Sequence, residues 1–157
     1  MNNNTLKSKI ENNLQQLNIK FTSLNSYQED EDLTYLIHMK LNGLKEVGII
    51  PVLFIVSTEK NTVSIGCSNI YHLKTKDSLL STLVAINNTN MKIASGNLYL
   101  DPKKQSIMYY QRTKLNNMLE NLTYEFISDC INSIATAIVL VYDEIIGIHN
   151  GKGKSQK

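Results

Sequence analysis

Tryptophan is absent from the 157-residue sequence, proline occurs twice, arginine once, and charged residues make up only 19%. Each shortage removes a class of reading. Nucleic-acid binders concentrate Lys and Arg on one surface because phosphate neutralisation supplies most of their affinity. Here Arg112 stands alone, and the densest charge cluster, Glu29-Asp30-Glu31-Asp32, has the opposite sign. Cys67 and Cys130 lie far apart with no CxxC, and the three histidines are scattered. No group of three or four metal ligands at close spacing results, so no metal or other cofactor is expected. Neither GxxxxGK[ST] nor GxGxxG occurs, and Gly151-Lys152-Gly153-Lys154 is tail composition, not a phosphate loop.

Targeting signals are also missing. Met1-Asn2-Asn3-Asn4 has no basic stretch leading into an apolar one, so no signal peptide is expected. The longest apolar run, Ile134 to Tyr142, is too short to cross a bilayer and meets Asp143-Glu144. The expected location is the cytoplasm, where two buried thiols stay reduced and unpaired.

What the chain does have is apolar mass. Leu, Ile, Val and Phe total 47 residues, enough to collapse around one core but thin for two. Polarity comes largely from 19 asparagines. Residues 151–157 carry three lysines and no acid; without them 13 basic residues face 14 acidic ones, so the body is near neutral. The expected organisation is a single domain over 1–150 followed by a flexible basic tail over 151–157.

Periodicity outlines the elements. Leu6, Ile10, Leu14 and Leu17 recur at helical spacing, with Asn4 or Thr5 able to cap and Asn18 to close. An extended segment begins at Ile19. Leu33, Tyr35, Ile37, Met39 and Leu41 alternate with polar neighbours as a strand with one buried face. From Gly48 to Val56 both faces are apolar, which predicts cover on both sides, helix on one and a partner on the other. Pro51 should sit near that strand's start or on an edge. The loop Glu59-Lys60-Asn61 leads into Val63, Ile65 and Cys67.

A second helix should start near Thr75 or Asp77, with Leu79, Leu80, Leu83, Val84 and Ile86 as its apolar stripe, and end in Asn87-Asn88-Thr89-Asn90. A hairpin over 93–111 turns at Asp101-Pro102-Lys103-Lys104, where proline fixes φ and Asp101 can bond the turn amides. One long helix is expected from Leu115 to Ile148, stopping at His149-Asn150-Gly151. Its second half is apolar most of the way round and so needs cover on every side.

The segment Leu79 to Asp101 resembles the YbjN-like family and, through it, the type III secretion chaperone-like fold. A helix ends in Asn87-x-x-Asn90, and Gly96-x-Leu98-Tyr99-Leu100-Asp101 enters a hairpin. The resemblance implies an α+β fold, an antiparallel sheet flanked by helices in the order helix, strands, helix, β-hairpin, long helix. It further implies a domain that dimerises, carries no cofactor or catalytic centre, and binds other proteins.

The candidate sites each have a plainer reading beside the functional one. Asn87 and Asn90 can contact a ligand, but side-chain satisfaction of backbone groups where helix meets strand is the simpler role. A Cys67 dyad with His38 or His72 would need a depressed thiol pKa, whereas Cys67 occupies an apolar strand position. Tyrosines are favoured contact residues in interfaces. The candidate protein interface is therefore Phe54, Tyr99, Tyr109, Tyr110, Ile138, Val141 and Tyr142, drawn from the two apolar-surplus segments and the hairpin. The expected partners are a second copy of the chain and a protein client, with no nucleic acid, membrane or small-molecule substrate. A divergent hydrolase or transferase, and an immunity- or antitoxin-like protein with one cognate partner, are the alternatives.

Overall fold

The computed structural model describes residues 3–24, 32–41, 44, 48–75 and 78–154. Residues 29–31 of the acidic run 29–32 and the turn at Asn42-Gly43 lie outside them. Helix α1 (Asn3–Gln16) buries Leu6, Ile10 and Leu14 completely. Each such burial is worth about 1.5–3 kcal/mol. The caps expected at Asn4 or Thr5 sit inside this helix, which begins at Asn3.

The strands are β1 (Phe21–Ser23), β2 (Leu33–Lys40), β3 (Ile49–Ser57), β4 (Thr62–His72), β5 (Asn97–Asp101) and β6 (Ser106–Lys114). They form one antiparallel sheet in the order β1-β2-β3-β4-β6-β5. The α+β reading is correct. Because strand side chains alternate, Leu33, Tyr35, Ile37 and Met39 on β2 point to the same face as Val52, Phe54 and Val56 on β3 and Val63, Ile65 and Cys67 on β4. All of these are buried, and the helices pack over them.

Pro51 is the third residue of β3, opposite His38. The His38 amide donates to the Lys20 carbonyl at 3.0 Å, towards β1. Antiparallel geometry then turns the proline nitrogen away from β2, towards a side where β4 pairs only from Leu53 onwards. Pro51 interrupts no ladder bond.

Helix α2 (Leu79–Asn90) departs from expectation. Its buried residues are Thr82, Ala85, Ile86 and Thr89, while Leu79, Leu80, Leu83 and Val84 are exposed. Small residues at spacings of three and four let α2 lie close against the last helix, and this turns the leucines outward.

The C-terminal helix is two elements. A short α3 (Met118–Asn121) buries Met118, Leu122 follows in the core, and α4 (Tyr124–Lys154) then starts afresh. Thr123 caps it: its hydroxyl accepts from the Phe126 amide at 3.2 Å. At the other end α4 continues through Gly151 to Lys154, because glycine permits a left-handed exit from a helix but does not compel one.

By length and composition Tyr124–Ile148 could span a membrane, unlike the shorter run noted in the sequence. Its apolar stripe is nonetheless occupied by the fold. Ile127, Cys130, Ile134, Ala137, Ile138, Val141 and Ile145 are buried, while Glu125, Asp129, Asn132, Thr136 and Asp143 form an exposed polar stripe. Helices α1 and α2 cover its flanks. Much of the cover that the apolar helix demanded comes from within the chain, although Val139 and Leu140 are only half-buried and Ile146 is exposed.

Candidate protein-binding surface

All three long helices lie on one face of the sheet, and among the described residues the other face is open. Its residues follow from the register in cross-strand rows. One row is Thr34, Ile55, Ser64 and Arg112, and the next is Leu36, Leu53, Gly66 and Tyr110. A third begins with His38 and Pro51, and Met108 and Tyr99 continue that side on β6 and β5. β3 supplies the apolar residues Ile49, Pro51, Leu53 and Ile55, and Ile49 and Leu53 are 64% and 42% exposed. At the middle of this face β4 supplies Ser64, Gly66 and Ser68. The small residues leave a concavity of about 350 Å3 over β4, walled by Leu36, Leu53 and Ile55 on one side and Met108 and Tyr110 on the other.

Gly66 fits a tight place there. A Cβ at this position would stand 3.0 Å from the Tyr109 carbonyl oxygen and 3.4 Å from the Tyr110 ring. The Tyr110 hydroxyl lies 3.3 Å from Ser64 Oγ, and Arg112 Nε is 3.4 Å from the same oxygen. Ser64 is buried beneath them although it belongs to the open face.

The candidate interface residues divide across the sheet. Tyr99 and Tyr110 are on the open face and exposed. Phe54 and Tyr109 point the other way and are fully buried, as are Ile138 and Val141 beneath the helices. These four are core residues, contrary to their assignment as contacts: alternation places Phe54 opposite in direction to Leu53, and Tyr109 to Tyr110. Tyr142 is half-buried; its hydroxyl donates to the Ile70 carbonyl at 2.7 Å, and its ring meets Tyr71 edge-on. Leu53 and Ile55 belong to the run Gly48–Val56 whose apolar second face the sequence assigns to a partner, whereas Leu36 and Met108 join the surface only through the register.

Asn90 has a structural role. Its amide nitrogen donates to the Leu98 carbonyl at 3.0 Å and its Oδ1 accepts from the Leu98 amide at 2.8 Å, which clamps the end of α2 to edge strand β5. Asn87 is exposed. Gly96 explains the rest of that segment: it has φ +70°, and a Cβ there would overlap the Tyr109 hydroxyl at 2.1 Å.

Cys67 and His38 are on opposite faces of the sheet, so they form no dyad. Burial pushes the Cys67 thiol up to about 12, against a smaller lowering by the Tyr109 backbone hydrogen bond. Burial likewise raises Cys130 to about 11, with the Asp129 charge adding to it. Both thiols are free and of the unreactive kind. Among the described residues no group of His, Cys, Asp and Glu could hold a metal ion.

Comparison with solved structures places this geometry. The crystal structure of YbjN from E. coli superposes over 87% of this chain and 88% of that one, with a TM-score of 0.53 and 13% identity. The chain has the YbjN fold. The HopA1–SchA chaperone–effector complex aligns over 91% of each chain at a TM-score of 0.48 and 10% identity. No family model matches the sequence, and no curated protein matches it. On the YbjN fold seen here, the feature that stands without an internal function is the open apolar sheet face.

Proposed function

We propose that the chain is a non-enzymatic protein-binding domain, working as a homodimer in the cytoplasm and receiving a protein client on its open sheet face. The observation that carries this reading is the cluster of Leu36, Leu53, Ile55, Met108 and Tyr110, over which no described element packs. Contiguous exposed apolar surface on a folded domain marks an interaction site. The concavity among them gathers apolar groups and small hydroxyls, not the convergent titratable side chains of a catalytic cleft. The fold shared with YbjN is compatible with this role.

Self-association is supported by α2. Leu80 is 74% exposed, with Leu79, Leu83 and Val84 beside it, and α2 contains neither acid nor base. A two-fold axis brings like groups face to face, so a charge-free apolar helix face is well suited to pairing with its own copy.

Two measurements test these statements separately. Sedimentation velocity at micromolar concentration should give a dimer for the full chain and a monomer for the Leu80→Glu, Leu83→Glu double variant, with the circular dichroism spectrum preserved. A clean wild-type monomer removes the dimer. Affinity capture from source-cell lysate, read by mass spectrometry, should lose its specific proteins on Leu53→Lys and keep them on the α2 variant. Equal capture by Leu53→Lys and wild type overturns the sheet-face reading.

A further inference from the structure

Resting on that reading, we infer that the concavity over β4 is a trough for one extended, acid-bearing segment of the partner polypeptide, with its apolar side chains over Gly66 and a carboxylate on Arg112. The trough runs along the strand. Its floor, Ser64, Gly66 and Ser68, extends about 13 Å at strand rise, and its walls on β3 and β6 stand two strand spacings, about 10 Å, apart. An α-helix with side chains is about 10–12 Å across and would ride on the rim, whereas an extended chain with alternate side chains pointing down fits between the walls. Tyr110 and Met108 on one side and Leu53 and Ile55 on the other offer apolar contact to those side chains.

Charge completes the match. Arg112 is the only arginine in a chain that otherwise uses lysine, and it stands at the end of the trough beside Ser64. The guanidinium fork binds carboxylate in two parallel hydrogen bonds, which lysine cannot do. Among the described residues no carboxylate pairs with it. Lys114 follows it on β6, and His38 and Lys40 occupy the same face of β2. Of the described acids near this face, Glu59 lies in the turn between β3 and β4 and makes no ion pair with Arg112. Asp32 flanks β2, three strands from Arg112, and Asp101 on β5 accepts from the Lys103 and Lys104 amides at 2.9 and 3.1 Å.

The test is selection of a phage-displayed random dodecapeptide library on the immobilised full chain, followed by fluorescence anisotropy of the enriched peptides. The expected sequences alternate apolar residues and include Asp or Glu. Arg112→Gln should weaken them at least tenfold, as should the peptide's own acid-to-amide change, and the two losses should not add. Leu53→Lys should abolish binding. Failure to enrich any peptide, enrichment of peptides without an acid, or equal affinity for Arg112→Gln overturns the proposal. Cosedimentation with phosphatidylglycerol vesicles in place of peptide binding also overturns it, since the face would then be a membrane contact. If no peptide is enriched while lysate capture still depends on Leu53, the partner docks as a folded surface. The protein-binding reading then stands without the trough.

Discussion

Asparagine takes the backbone positions that glycine fills elsewhere. The described non-glycine residues with positive φ are Asn18, Asn61, Asn69, Asn117 and Gln105. Asparagine tolerates this left-handed region because its short polar side chain can bond locally, so a chain with only seven glycines can still turn sharply. Gly96 is a position where asparagine would not serve. It combines φ +70° with the Tyr109 hydroxyl resting on its Cα, where that hydroxyl is also 3.0 Å from the Ser95 carbonyl and 2.9 Å from Gln111 Oε1. Gly96→Ala should therefore destabilise the protein by about 2–4 kcal/mol, combining backbone strain with displacement of a buried ring. Urea denaturation measures it. In a double-mutant cycle, Tyr109→Leu should recover most of the steric part and leave the backbone part. At this scale the Asn87-to-Asp101 segment was legible from sequence as a motif. What each residue did there was not, since the partner of Gly96 is thirteen positions away.

Elements were legible wherever period and burial agree. β2 has a single apolar face, and α1 a single stripe, so both follow directly from their spacing. α2 carries two overlapping stripes, and the more apolar one, Leu79-Leu80-Leu83-Val84, is outside. Burial is decided by fit against α4, which favours Thr82, Ala85 and Thr89, so hydrophobicity alone pointed the wrong way. The polar end of the same contact supplies a pH test. Glu144 on α4 accepts from the Lys92 ammonium just beyond α2 and from Asn88 Nδ2 at 3.1 Å, and these bonds hold its carboxyl below the usual carboxylate range. A depressed folded-state pKa contributes stability above the unfolded pKa and loses it as pH falls through the folded value. The wild type should thus exceed Glu144→Gln in urea midpoint at pH 6, and the gap should close as pH drops below about 4. A gap that persists at pH 3 would mean the carboxylate charge is not what ties α2 to α4.

The whole molecule is a two-layer fold with one layer missing on the outside. A sheet has two faces; the three long helices lie on one, no described element lies on the other, and β3 is apolar towards both. The sequence showed that β3 was apolar on both sides but could not say which of the two apolar surpluses the fold would absorb internally. It absorbed the larger part of the one on α4 and left the one on the open face of β3. Two adjacent residues make this measurable. Phe54 is fully buried under the helices, and Leu53, one position earlier, points to the open face. Phe54→Ala should cost about 3–5 kcal/mol through lost burial and a residual cavity. Leu53→Lys should change stability by no more than about 1 kcal/mol, because Leu53 is 42% exposed with no described element packed over it, and the lysine head reaches water. Urea denaturation of both variants, at concentrations on either side of any dimer transition, separates the faces. A large loss for Leu53→Lys in the isolated monomer would mean that the chain itself covers this face. It would then be unavailable to a partner.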